Sequence, residues 1–134
     1  MIDIESEVFN TVAAALRAKW PKLYMVGEYV RAPKSFPCVS LEERENVVLT
    51  RTQTGEHTEN HASVMYEANI YSNKANGKKT QCREIAMALD EAMAHMGFTR
   101  IMLNPIPNMD DATIYRITAR YRAVVSKNNT IYRR

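Results

Sequence analysis

The sequence predicts an α+β fold: a two-layer sandwich in which a mostly antiparallel, mixed sheet carries two helices on one face. Three observations point there. Two stretches space their apolar residues by three and four, as helices do. Other stretches are extended, and the longest alternate apolar and polar side chains, as half-buried strands do. The strand signals also come in runs joined by turns, in the order α-β-β-β-α-β-β, which favours antiparallel pairing.

From Asp3 to Trp20, apolar residues fall at Ile4, Val8, Val12, Ala15, Leu16 and Trp20, with an alanine-rich middle that favours helix. Asp3 is placed to cap the first turn, and Pro21 stops the run. Tyr24–Val30 and Phe36–Asn46 read as strands on either side of the turn RAPKS. Residues 47–62, Val47 to Ala62, are too polar for a core strand and read as a long exposed arm or a loop. Ser63–Ser72 alternates, with Val64, Tyr66, Ala68 and Ile70 on one face and Met65, Glu67, Asn69 and Tyr71 on the other. NKANGKK leads into a second helix whose stripe is Cys82, Ile85, Ala86, Leu89, Met93 and Met96, with Gly97 as its stop. Phe98–Leu103 is a short strand, NPIPNMDD a loop, and Thr113–Ser126 the longest strand signal. Its Arg116, Arg120 and Arg122 face away from the helices, beside Glu67, Asn69 and Tyr71 if the strands register as expected. Residues 127–134, KNNTIYRR, read as a polar C-terminal tail.

A length of 134 residues fits a single domain spanning 1–134, and such a chain buries enough surface to need no disulfide or metal staple. With 46% hydrophobic and 25% charged residues, the composition excludes collagen-like, mucin-like and disordered classes. No apolar run is long enough to span a membrane, and MIDIESEVF is too acidic for a secretory signal. Cys38 and Cys82, far apart and outside any CxxC pair, read as reduced thiols of an intracellular protein.

Charge divides the chain. Residues 98–134 carry Arg100, Arg116, Arg120, Arg122, Lys127, Arg133 and Arg134 against Asp110 and Asp111, a net of +5 within a chain of +3. Residues 42–60 carry Glu42, Glu43, Glu45, Glu56 and Glu59 against Arg44 and Arg51, a net of −3. Two unlike patches can pair between copies without pairing to themselves, as a heterologous interface requires. The competing reading has these arginines paired within their own sheet. On the first reading, Arg120→Glu weakens assembly without unfolding the chain, and removing residues 128–134 lowers oligomerisation.

No motif for chemistry stands out. GEHTENH sets His57 and His61 four apart, but without an apolar stripe for a helix and without a third ligand except His95 on the second helix; these read as solvated loop histidines. There is no GxSxG nucleophile, and glycines at 27, 55, 77 and 97 build no phosphate-cradling loop. Glu42, Glu43 and Glu45 flank Arg44 and suit a solvated strand edge better than a metal cluster. The expectation is a protein without catalytic site, metal or cofactor.

Two resemblances add to this reading. The order α-β-β-β-α over residues 3–97, with Lys78 and Lys79 at the start of the second helix, resembles a double-stranded-RNA-binding domain, in which such lysines grip phosphates. Here the connection before the third strand is longer and acidic, and residues 1–97 are net negative. The chain length, the helix VFNTVAAALRAKWP, the strand pairs, the single long second helix and the closing TIYRITARYRAVVSKNNTIYRR resemble the tail terminators of long-tailed bacteriophages. That resemblance implies a homohexameric ring that caps the tail tube, halts its polymerisation and meets the filled head. It implies as partners further copies of the chain, the tail tube protein, head–tail connector proteins and DNA passing through the ring. A neighbouring neck component such as a head–tail connector fits the same size and charge.

Overall fold

The computed structural model describes residues 1–49, 60–107 and 111–132. Its elements are α1 (Glu5–Lys19), β1 (Tyr24–Val26), β2 (Cys38–Val48), β3 (His61–Ser72), α2 (Lys78–Met96), β4 (Thr99–Pro105), β5 (Tyr115–Ser126) and β6 (Ile131–Tyr132). One six-stranded sheet has the order β1-β2-β3-β5-β4, with β6 pairing β5. Among the described residues the β1–β2 pair is parallel and the other pairs are antiparallel. The expected α+β order of two helices and a mixed sheet is what the chain adopts.

The two-residue alternation decides which face is covered. Val64, Tyr66, Ala68 and Ile70 of β3 pair with Ala123, Tyr121, Ala119 and Ile117 of β5, and all are buried. Onto this face α1 brings Val8, Val12 and Leu16, and α2 brings Cys82, Ile85, Leu89 and Met93, all within 1% of full burial. Each such aliphatic side chain contributes about 1.5–3 kcal/mol by leaving water. The Tyr66 ring meets Phe98 edge-on at 5.4 Å.

Several boundaries differ from the sequence reading. Ala13, not Ala15, turns inward on α1, because alanine is too small to mark a face by its apolarity. Asp3 does not occupy the N-cap, which is Ile4, yet its Oδ1 accepts a bond from Glu5 N–H at 3.1 Å. β1 is three residues long, not seven, since the chain leaves the sheet at Gly27. β2 starts after Pro37, which has no N–H to give a ladder. It runs on through Val48, and β3 begins at His61, so both ends of the expected arm are strand; residues 50–59 lie outside the described residues. The segment expected as a polar tail folds back: Ser126 N–H donates to Thr130 O at 2.9 Å around Asn129 at φ 61°, and Ile131 packs on the core.

Candidate functional site

The face of the sheet away from the helices carries the residues that charge singles out. Register places Tyr71 beside Arg116, Asn69 beside Thr118, Glu67 beside Arg120 and Met65 beside Arg122, and on the other flank of β3, Glu42 beside Glu67. The expected company of Glu67, Asn69 and Tyr71 with the three arginines is therefore observed.

An irregularity in β2 shapes the acidic side. Between Glu43 and Glu45 the register shifts by one residue, so that Glu45 pairs with Met65. The bulge at Arg44 puts Glu42 and Glu45 on the same open face, whereas simple alternation would separate them. Glu43 points the other way. It accepts from Tyr66 Oη at 2.8 Å and from Asn46 Nδ2 at 3.0 Å, while its own N–H donates to Glu5 Oε2 at 3.1 Å. Glu43 thus serves the junction of α1 with β2, and is no part of an acidic surface strip.

The open-face charges meet within the chain. Arg120 Nε lies 3.0 Å from Glu67 Oε1, and Arg122 Nη2 lies 3.0 Å from Glu45 Oε2. Arg44 Nη1 reaches Glu42 at 3.0 Å and Glu67 at 3.9 Å; the Glu42 hydrogen bond first, then the charges of Glu67 and Glu42, hold its guanidinium still more firmly protonated. Arg116 has no carboxylate within ion-pair distance among the described residues. Its Nε and Nη2 donate to Asn69 Oδ1 at 3.1 and 2.8 Å, and its Cζ lies 5.5 Å over the Tyr71 ring. Thr118 Oγ1 donates to the same Asn69 oxygen at 2.6 Å, and Tyr71 Oη donates to Val30 O at 3.0 Å. Burial raises the Tyr71 pKa, and the Arg116 charge acts against that rise.

Of the other residues singled out, Lys127 is exposed and contributes a backbone bond to Asn60 O at 2.8 Å. Arg51, Glu56, His57, Glu59, Arg133 and Arg134 lie outside the described residues. Glu42 and Glu45 of the acidic segment share the open sheet face with Arg116, Arg120 and Arg122 of the basic one, whereas Glu43 turns to the helix side and Arg100 pairs with Asp90 of α2. Of the three arginines on β5, Arg120 and Arg122 are paired with carboxylates, and Arg116 keeps its charge against the neutral Asn69.

Burial pushes the Cys38 thiol up to about 11 and the Cys82 thiol to about 12, well away from nucleophilic thiolates. Among the described residues no group of three or more His, Cys, Asp and Glu side chains is placed to hold a metal ion. Among the described residues no helix is long and apolar enough to cross a membrane. Sequence reasoning missed Asp90, which accepts from Tyr121 Oη at 2.9 Å and pairs with Arg100 at 3.2 Å, tying α2 to the sheet edge. Its place beside the apolar stripe of α2 was the available signal.

The fold is thus that of a two-layer α+β sandwich with one sheet face left to polar, internally paired side chains. It is similar to that of a chain in the virion of a native gene transfer agent particle, with a TM-score of 0.64 over 92% of this chain and 94% of that one, at 16% identity. At that identity the likeness is one of fold. No protein-family model matches the sequence, and no curated protein does.

Proposed function

We propose that this chain is a structural protein of a phage-like virion, without catalytic turnover, and within the particle a tail terminator. In that role it caps the tail tube, stops its polymerisation and forms part of the surface that joins tail to head. The observation that carries the reading is the likeness of fold to a virion chain along nearly the whole length of both. The match takes in 92% of this chain and 94% of the other, so it rests on the whole arrangement of helices and sheet and not on a shared motif.

In this reading the protomers close into a homohexameric ring, whose partners are further copies, the tail tube protein and head–tail connector proteins, with DNA passing through the opening. A ring needs two unlike surfaces on each copy. The sheet provides unlike ends: a three-residue parallel edge strand at β1, and β4 with β6 at the other side. Because Arg120 and Arg122 are already paired, charge on the open face contributes orientation more than affinity.

The nucleic-acid alternative draws on Lys78 and Lys79. Lys78 Nζ donates to the carbonyl oxygens of Ala112 and Thr113 at 3.4 and 3.3 Å, so this ammonium has acceptors within the chain, and Lys79 is exposed.

The test is tube growth in vitro. Tail tube protein polymerised with this chain should give short tubes bearing a ring at one end by electron microscopy. Unchanged tube lengths and unoccupied ends would overturn the terminator role. A strongly salt-dependent affinity for duplex RNA or DNA in place of capping would favour the alternative.

A further inference from the structure

We propose that the outer ridge of α2 is a two-fold docking surface for a second copy of this chain, with the two α2 helices packed antiparallel across Met87. Lys79, Arg83, Met87, Glu91 and His95 follow one another at spacing four and are all exposed, so they form a single ridge along the helix. Met87 is 73% exposed, while Ala86 beside it is 4% exposed and Leu89 is fully buried. An unbranched apolar side chain thus stands out from a helix whose other apolar positions are largely spent on the core.

Hollows lie on both sides of this ridge. One of about 480 Å³, between α2 and β4, has Ala86, Leu103 and Ile117 in its lining. The other, about 370 Å³, lies toward the end of α1 and is lined in part by Lys19, Trp20 and Ala88. A knob with a recess at either hand is what ridge-into-groove packing of two identical helices needs, and methionine adapts its shape to such a recess.

Charge selects the occupant and its direction. The ridge is basic before Met87, at Lys79 and Arg83, and acidic after it, at Glu91. Arg83 has no ion pair among the described residues, and Glu91 has only the 3.9 Å approach of His95. An antiparallel crossing at Met87 sets each Arg83 against the second copy's Glu91, twice. A parallel crossing would set arginine against arginine and glutamate against glutamate. The centre of the ridge, Arg83 with Glu91 on either side of Met87, is therefore complementary to itself, as a two-fold contact requires, while Lys79 and His95 meet farther out. The contact lies on the helix layer and does not depend on the ring reading, which uses heterologous surfaces.

The experiment is sedimentation of the full chain up to ~1 mM, the range where weak contacts register, joined to cross-linking of Met87→Cys under mild oxidation. The native thiols Cys38 and Cys82 are buried, so the unmodified chain is the blank. A concentration-dependent dimer is expected, and Met87→Cys should link to itself. Arg83→Glu and Glu91→Arg should each weaken the dimer by roughly tenfold or more, and the double variant should restore it. A chain that stays monomeric at every concentration overturns the proposal. So does a dimer or ring that leaves Met87→Cys unlinked and ignores the charge swap. Tube capping can succeed or fail independently of these outcomes.

Discussion

Arg120 and Glu67 face each other directly across the β3–β5 ladder, with Arg120 Nε 3.0 Å from Glu67 Oε1. The carboxylate side chain is 10% exposed and the guanidinium side chain 41%, so the acid is the buried member and the arginine shields it. Removing the arginine should therefore cost more than removing the acid. Glu67→Ala should lower stability by about 1–2 kcal/mol, since Arg120 can return to water. Arg120→Glu should cost on the order of 3 kcal/mol, because it sets a second carboxylate against a buried one. Urea unfolding of the two variants checks the order. Arg120→Glu thus carries a stability cost beside any effect on assembly, one that a domain of ordinary stability, about 5–15 kcal/mol, withstands.

Stability should fall in alkali. Burial raises Cys38 to about 11 and Cys82 to about 12, and it also raises Tyr66 and Tyr121, each helped by an acceptor carboxylate, Glu43 and Asp90 respectively. Groups whose folded pKa lies above the unfolded one stabilise fully below the unfolded value. That contribution is lost as pH rises toward the folded value. For the thiols the loss begins at about pH 8.5–9. Urea midpoints between pH 7 and 11 should decline from there, and Cys82→Ala should make the decline shallower by up to about 1.4 kcal/mol per pH unit.

Position along α2 should separate cost from exposure. Leu89 is fully buried and Met87 is 73% exposed, two residues apart. Leu89→Ala should cost about 2–5 kcal/mol through the cavity it leaves. Met87→Ala should stay within about 0.5 kcal/mol. Thermal unfolding at low protein concentration reads both.

Gly97 closes α2 at φ 105°, where its N–H reaches Ala94 O and the Phe98 N–H reaches Met93 O, both at 3.0 Å. A Cβ in this left-handed conformation is penalised, so Gly97→Ala should cost about 1–2 kcal/mol. Denaturant titration checks it.

Removing residues 128–134 should cost stability as well as any assembly contact. Ile131 pairs with Val125 and packs on the core, so its loss exposes apolar surface worth about 1–2 kcal/mol. An unchanged melting temperature would show β6 to be dispensable.

Much of this structure was legible in the sequence because repeating patterns carry it. The stripe from Cys82 to Met93 and the alternation of Val64 to Ile70 named the covered face, and Gly97 marked the end of α2. The uncovered face was also legible as a set of residues: Arg116, Arg120 and Arg122 with Glu67, Asn69 and Tyr71. What the pattern could not supply was pairing. Whether Glu45 meets Arg122 depends on the register of three strands and on one extra residue at Arg44, which no local periodicity reveals. Glu43 illustrates the same limit. By type it belongs with Glu42 and Glu45, yet its position puts it under Tyr66 and Glu5. Folding back of the last residues was hidden because a two-residue strand has too short a pattern to recognise.

The extra residue at Arg44 works as an expansion joint. Closing it by deleting that one residue would let Glu45 follow Glu43 opposite Met65, with every other cross-strand pair kept, while Glu42 and Glu67 would lose the Arg44 guanidinium. Without the deletion, straightening the strand would swing Glu45 inward against Val64. Length in this part of the chain is thus free to change by a single step at one place, and an alignment gap of that size is where a relative of this protein would show it.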